Sequence, residues 1–508
     1  TLAGSNTFTG GVTVKAGKIY AGDDSAFGVG GVLTLENGVS ISSSSTAGRA
    51  IANDITISGS TVTLGDSTNN GTLTFSGNTT LGISTTVTAA SGVILGGIVS
   101  GAFGLTKAGA GELTLSGVNT FSGTTVVDAG TLTLSGGSAL ANSMAVTVNA
   151  GGTLKLASSE EIATLSGSGA VNLQANALTV SGSGNTVFNG VLSGTGDVVK
   201  NGSGELTLSG VNTYGGTTTI SGGTLTLSGG SALTNSMAVT VTAGGTLKLA
   251  SNEEIATLAG AGAVNLQSNT LTLSGAGNTT YSGVMSGTGG ALVKSGSGEL
   301  TLSGTNTFSG GATVSAGTVW VGNDAAFGSG TVVFSGGKIA SDGASARTLA
   351  NALTLSGTLT VGDGTNSGAL TFSGAGALGA ATTLTLLSDA TLSGVVSGAF
   401  GLTKAGAGEL TLSGVNTYSG TTVVDAGTLT LSGGSALANT MAVTVNASGT
   451  LKLANSEEIA TLAGAGAVDL QANTLTLSGS GNTTYSGVMS GTGTLVKSGS
   501  GELMLSGT

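Results

Sequence analysis

Short runs in which every second residue is apolar recur along the whole chain. Glu112–Ser116 reads ELTLS, Thr131–Ser135 TLTLS, Ala145–Asn149 AVTVN and Thr153–Leu156 TLKL, separated by Ser-Gly, Ala-Gly and Gly-Gly pairs. Strict alternation is the signature of a half-buried strand: Leu113 and Leu115 face one side, Thr114 and Ser116 the other. Thr and Val favour the extended backbone and the glycine pairs favour tight turns between strands. No stretch repeats apolar residues at helical spacing for three turns, so the pattern predicts an all-β chain. Proline is absent, as expected of strands hydrogen-bonded on both edges, since each proline would delete a ladder bond.

The strands belong to a larger repeat. GLTKAGAGELTLSGVNT, Gly104–Thr120, returns as VVKNGSGELTLSGVNT ending at Thr213, LVKSGSGELTLSGTNT ending at Thr307 and GLTKAGAGELTLSGVNT ending at Thr417. A fifth copy breaks off at Thr508. The motif lysines Lys107, Lys200, Lys294, Lys404 and Lys497 lie 93, 94, 110 and 93 residues apart, which defines two module lengths. Long modules occupy 1–103 and 291–400, short ones 104–196, 197–290 and 401–493, and 494–508 starts a further module. The expectation is one continuous solenoid, read as a fragment of a longer protein because both ends fall inside repeated sequence.

Composition narrows the architecture. Charged residues are 7% of the chain, hydrophobic residues 39%, glycines 95 in 508, and mean hydropathy is +0.40. That is enough apolar surface to fold and too little charge for an average globular enzyme. A transmembrane barrel needs aromatic girdles at two interfaces, and Phe, Tyr and Trp make up only 3% of the residues. Sandwiches and propellers call for larger core side chains. A solenoid asks only for stacked Leu, Val, Ile and Ala with glycine at the corners. With roughly 20 to 25 residues per turn and ~4.8 Å per turn, the rod would be on the order of 100 Å long.

The segment Gly104–Leu134, GLTKAGAGELTLSGVNTFSGTTVVDAGTLTL, resembles the repeat associated with passenger domains of bacterial autotransporters. That repeat has a Lys, a Gly-rich turn, LTLSG, an Asn-Thr-aromatic triplet and a GTL strand. The resemblance implies a right-handed parallel β-helix, secreted by the type V route and displayed outside a Gram-negative cell, from a parent protein carrying an outer-membrane barrel. Neither a signal peptide nor a translocating barrel occurs in these residues. Glu112, Glu205, Glu299, Glu409 and Glu502 stand where Thr or Ser is expected.

Candidate chemistry is sparse. Without Cys or His there is no thiolate or imidazole metal site and no Ser-His-Asp triad. A net charge of −11 offers no basic patch for nucleic acid, and no apolar run is long enough to span a membrane. The triplets Asn119–Phe121, Asn212–Tyr214, Asn306–Phe308 and Asn416–Tyr418 read as structural corners, with Asn in a turn bonding its own backbone. Glu160-Glu161, Glu253-Glu254 and Glu457-Glu458 lie near Lys155, Lys248 and Lys452 and read as solvated turns with loose ion pairs. Asp23-Asp24 becomes Asn323-Asp324 in the second long module, so neither pair is held by acid–base chemistry. GAGALG at Gly374–Gly379 fits a phosphate-loop pattern but lies in a β-only module, where its counterpart Gly77–Gly82 reads GNTTLG. Trp320, the counterpart of Tyr20, reads as a packing or exposed-face residue.

These readings assign no catalytic, cofactor-binding or metal-binding residues and no cofactor. The expected function is a non-enzymatic, surface-displayed or secreted spacer or adhesin stalk, its partners being copies of itself or host and abiotic surfaces, with no nucleic acid. One alternative is a subunit of an extracellular filament or matrix. Another is binding to ice or crystalline polysaccharide through outward threonines such as Thr131 and Thr133.

Overall fold

A computed structural model describes residues 1–365 and 368–507; Thr508, the end of the last sequence module, lies outside the described residues. The chain is an all-β parallel solenoid, and among the described residues there is no helix. It divides into two compact units, Thr1–Glu253 and Glu254–Thr508.

In the first unit each strand pairs in parallel with the strand one turn later. Leu105–Ala108 pairs with Thr125–Leu134, that strand with Ala145–Leu156, and that one with Thr164–Gly167 and Ala170–Asn172. A second face runs Glu160–Ile162, Leu178–Val180, Val198–Lys200, Thr218–Ile220 and Ala238–Val241. The second unit repeats the scheme, with Leu402–Ala405, Thr422–Leu431, Ala442–Leu453 and Thr461–Gly464 stacked in register.

Alternation places the core as expected. Leu113, Leu132 and Leu154 sit above one another and are fully buried, as are Leu115, Leu134 and Leu156. Burial of each such leucine contributes about 2 kcal/mol. The intervening Thr114, Thr133 and Lys155 form the opposite column.

The strands differ in length from the sequence expectation. Ala145–Asn149 and Thr153–Leu156, read as separate, are one strand Ala145–Leu156, because the ladder continues through the bend with a shift in register opposite Val127 and Ala129. Turn length also varies more than expected. Thr61 pairs with Thr86, 25 residues on, but Thr153 pairs with Ala170, only 17 on. The bend Asn149–Gly152 of one turn shrinks in the next to Ser168-Gly169, following Gly167 at φ +105°.

One of the two threonines expected to face outward does not. Thr133 is buried, and its hydroxyl donates to the Glu112 carboxylate; Thr226 and Thr430 are buried likewise and bond Glu205 (2.5 Å) and Glu409 (2.6 Å). The neighbour of Thr133 one turn on is Lys155. The expectation of an outward ladder through Thr133 therefore fails: the strand bends after Gly130 and turns this hydroxyl onto a carboxylate.

Candidate ligand-binding clefts

Three kinds of polar side chain recur at the corners, and their partners decide whether they serve the fold or the surface. Four of the five motif lysines are inside; Lys497, near the end of the described residues, is exposed. Lys107 is fully buried, and its ammonium donates to Ala108 O (2.9 Å), Gly109 O (2.8 Å) and Ala129 O (2.8 Å), one acceptor for each of its three donors. Lys404 repeats this with Ala405 O (3.1 Å), Gly406 O (2.8 Å) and Ala426 O (2.8 Å). Lys200 and Lys294 are also buried and bond the carbonyls of Gly202 and Gly296. Burial favours the neutral amine and pushes Lys107 and Lys404 down to about 8, with Asp389 opposing the shift at Lys404; Lys200 and Lys294 are lowered for the same reason.

Close approach of the backbone makes this corner. Gly130 has φ +66°, and a Cβ there would lie 2.3 Å from Gly109 O and 2.9 Å from Lys107 Nζ. Only glycine lets the next turn bring its carbonyl onto the amine.

Asparagine and glutamate clamp the following corner from two sides. The Val99 N–H donates to Asn119 Oδ1 (2.6 Å) while Asn119 Nδ2 donates to Ala139 O (2.6 Å), so the amide links the turns before and after its own. The Ala139 and Leu140 N–H groups then donate to the two oxygens of Glu160 (3.0 and 2.7 Å). The same clamp forms at Asn212–Ala232–Glu253 and Asn416–Ala436–Glu457. Asn306 bridges Met285 N and Ala326 O in the long module.

The structural role of the asparagines stands, but none has a positive φ and each joins three turns; Asn212 Nδ2 also donates to Gly210 O (3.1 Å) within its own turn. The glutamate reading is corrected. Glu160, Glu253 and Glu457 are buried and accept backbone N–H groups, whereas Glu161 points to the other face. Desolvation raises the pKa of the three buried carboxyls against the opposing effect of their N–H donors. Lys155 pairs instead with Glu112 (3.7 Å) and Lys248 with Glu205 (3.5 Å), carboxylates from earlier turns.

The remaining sequence candidates are accounted for by local contacts. Asp23 caps the turn at Ser25 N (2.9 Å), Asp24 accepts from Ala50 N (3.0 Å) and Asp324 from Thr348 N (3.1 Å). Gly376–Leu386, which contains most of GAGALG, is a strand of the ladder. Trp320 is half-buried, donates its indole N–H to Glu299 (3.1 Å), and has Lys338 Nζ over its ring at 4.9 Å.

One recurring feature lies on the surface and was not singled out from the sequence. Gln174, Gln267 and Gln471 have φ of +55°, +55° and +51°, and among the described residues they are the non-glycine residues with positive φ. Each backbone N–H donates to the residue two before it, Asn172, Asn265 or Asp469, at 3.0 Å. The Gln174 carbonyl accepts from Thr195 N (2.5 Å) and Thr195 Oγ1 (3.1 Å), and Gln471 from Thr492 N (2.6 Å) and Oγ1 (3.2 Å). Gly194, Gly287 and Gly491 in the next turn pass so close that a Cβ would approach the glutamine backbone to 2.5–2.6 Å. Backbone and neighbours thus fix the glutamine, while its side chain projects outward.

At Gln267 the result is an open cleft of about 620 Å³ between Asn265, Ser268, Ser286, Thr288 and Thr307. All of these are uncharged hydrogen-bonding side chains. The sequence signal is the set NLQAN, NLQSN and DLQAN, each followed by SGTG, with Gln where a left-handed corner ordinarily takes Gly or Asn.

The passenger-associated-transport-repeat model matches residues 1–19, 105–134, 198–227, 292–321 and 402–431. These are the stretches that build the buried lysine corner, or in 1–19 the equivalent start of the long module. The chain is an autotransporter passenger domain built of these repeats. Such a domain is, in general, exposed at the cell surface or secreted. The chain is 33% identical over 350 residues, 65% of its length, to the adhesin BmaC autotransporter of Brucella suis biovar 1 (strain 1330). It spans about a tenth of that relative's length. No solved structure matches the chain.

Proposed function

We propose that this passenger domain is a non-catalytic, adhesin-like stalk that holds binding surfaces outside the cell and attaches through many repeated, individually weak contacts. Its partners are host and abiotic surfaces. The observation that carries the proposal is the likeness over 350 residues to an autotransporter named as an adhesin. It is supported by a fold that spends its buried charges on itself. The lysine amines, glutamate carboxyls and asparagine amides that could serve a reaction are bonded to backbone groups. What faces outward is a recurrence of the same sparsely charged surface, which suits multivalent attachment: several weak contacts on one body give high overall avidity.

The test uses microspheres coated with the 508-residue chain, allowed to settle on cultured animal cells and on polystyrene, then washed under flow. Retention should exceed that of albumin-coated spheres several-fold and rise steeply with coating density. Retention equal to that of the albumin spheres on both surfaces would overturn the proposal, as would release of fragments from the cell-surface glycans by the chain alone.

A further inference from the structure

We infer that the corners carrying Gln174, Gln267 and Gln471 are three copies of a binding site for uncharged saccharide, which gives the adhesin-like reading a ligand class and rests on it. Three observations lead there. The first is strain: a side chain larger than hydrogen is kept where left-handed backbone costs an L-residue about 1 kcal/mol or more, although this chain uses glycine at other positive-φ corners such as Gly130. Such outliers gather where function holds them.

The second is that the strain does nothing for the fold. The hydrogen bonds that fix the corner run through the glutamine backbone, to Asn172 Oδ1 and from Thr195 at the first copy, and any residue would supply them. Among the described residues the side-chain amides of Gln174 and Gln267 have no protein partner, and both side chains are exposed. At the third copy Gln471 Nε2 donates to Asp469, which leaves the amide oxygen facing solvent.

The third is the chemistry of the cleft. Around Gln267 the lining groups are the amides of Asn265 and Gln267 and the hydroxyls of Ser268, Ser286, Thr288 and Thr307. A cleft of about 620 Å³ is large enough for one or two sugar rings, within the range of small-molecule sites. It holds no cation for a phosphate, sulfate or sialate and no apolar wall for a lipid or a hydrophobic peptide. Amides that both donate and accept, beside hydroxyls that do the same, match a ligand whose periphery is hydroxyl groups without net charge. Asp469 at the third copy adds a strong acceptor for sugar hydroxyls and opposes anionic sugars.

Saturation-transfer NMR on the purified chain tests this with maltopentaose, cellopentaose, chitopentaose and mannopentaose, and with sialyllactose and a heparin pentasaccharide as charged counterparts. Transfer to at least one neutral oligosaccharide is expected, exceeding transfer to both charged ones. The triple variant Gln174→Gly, Gln267→Gly, Gln471→Gly keeps the corner, since glycine prefers positive φ, and should match or exceed the parent in urea midpoint. Its binding should be at least about tenfold weaker, as when a hydrogen-bonding group of about 1.4 kcal/mol is lost. Transfer to none of the neutral probes, stronger transfer to the charged ones, or undiminished binding by the glycine variant would overturn the inference. Microsphere retention separates the two readings. Parent spheres that stay attached while the neutral probes fail to bind sink the clefts alone, and probe binding without retention sinks the adhesin-like reading.

Discussion

A single atom separates two otherwise identical stretches of this chain. Gly104–Leu134 and Gly401–Leu431 share every residue except Phe121 against Tyr418. The Tyr418 hydroxyl bonds Thr422 Oγ1 at 2.7 Å, and Tyr214 bonds Thr218 at 2.6 Å in the same way. With phenylalanine at 121 the corresponding hydroxyl, Thr125 Oγ1, is buried without a protein partner. The long module avoids the problem: Phe308 there is followed by Ala312 where the others have Thr. Phe121→Tyr should therefore stabilise the first unit by about 1 kcal/mol, by completing a buried bond in a space already shaped for it. The check is the urea midpoint of the variant against the parent; an unchanged or lower midpoint would show that the hydroxyl does not fit. The sequence displays this Phe/Tyr alternation but not its meaning, because the partner four residues on becomes visible only when the ring is seen to fold back over it.

At the scale of elements, the corner that closes around Lys107 makes stability depend on pH in an unusual direction. Lys107 and Lys404 fall to about 8 in the folded chain from an ordinary value of 10.5, because burial penalises the ammonium. Between those values the unfolded chain holds more protons than the folded one, so stability rises with pH from about 8 to about 10.5 and is lost again as pH falls. Each fully expressed shift is worth on the order of 3 kcal/mol. The buried tyrosines, pushed upward by burial, oppose this only above pH 10. The urea midpoint of the parent should increase from pH 7.5 to pH 9.5, and Lys107→Met with Lys404→Met should make the increase shallower. A parent midpoint that is flat or falls over that range would contradict the burial of these amines.

The same corner shows where sequence reasoning stopped. Alternation in Glu112–Leu115 made the strand and its buried leucines legible, because side-chain direction in a strand follows from position alone. The lysine in its glycine-rich turn marks the repeat without showing that it is buried. Its burial depends on Gly130, in the next turn, bringing the carbonyl of Ala129 onto the amine. The glutamate pairs misled for a related reason. Proximity in sequence pointed to Lys155, while the solenoid sets Glu160 beside the N–H groups of Ala139 and Leu140, about twenty residues earlier. Gln174 was missed because its sign, a positive φ on a residue that rarely adopts one, is not written in composition or periodicity.

For the whole molecule, parallel stacking at one-turn intervals is what turns a repeated sequence into a repeated surface. It sets Asn119 between Val99 and Ala139 and makes the glutamine corner recur in the short modules. Within each unit the fold and the repeat were legible from the sequence; the cleft chemistry emerges only from residues in neighbouring turns, such as Asn265, Ser286 and Thr307. The native chain has no cysteine, so introduced pairs report register cleanly. Thr106 is paired with Val126 one turn on, and Val126 in turn with Thr147. Adjacent parallel strands are about 4.8 Å apart, within disulfide reach, while two turns are about 10 Å apart and outside it. The most direct measurement is air oxidation of Thr106→Cys/Val126→Cys beside Thr106→Cys/Thr147→Cys, followed by thiol titration and peptide mapping. One-turn stacking predicts a disulfide in the first variant and free thiols in the second; free thiols in the first, or a disulfide joining 106 to 147 within one chain, would contradict it.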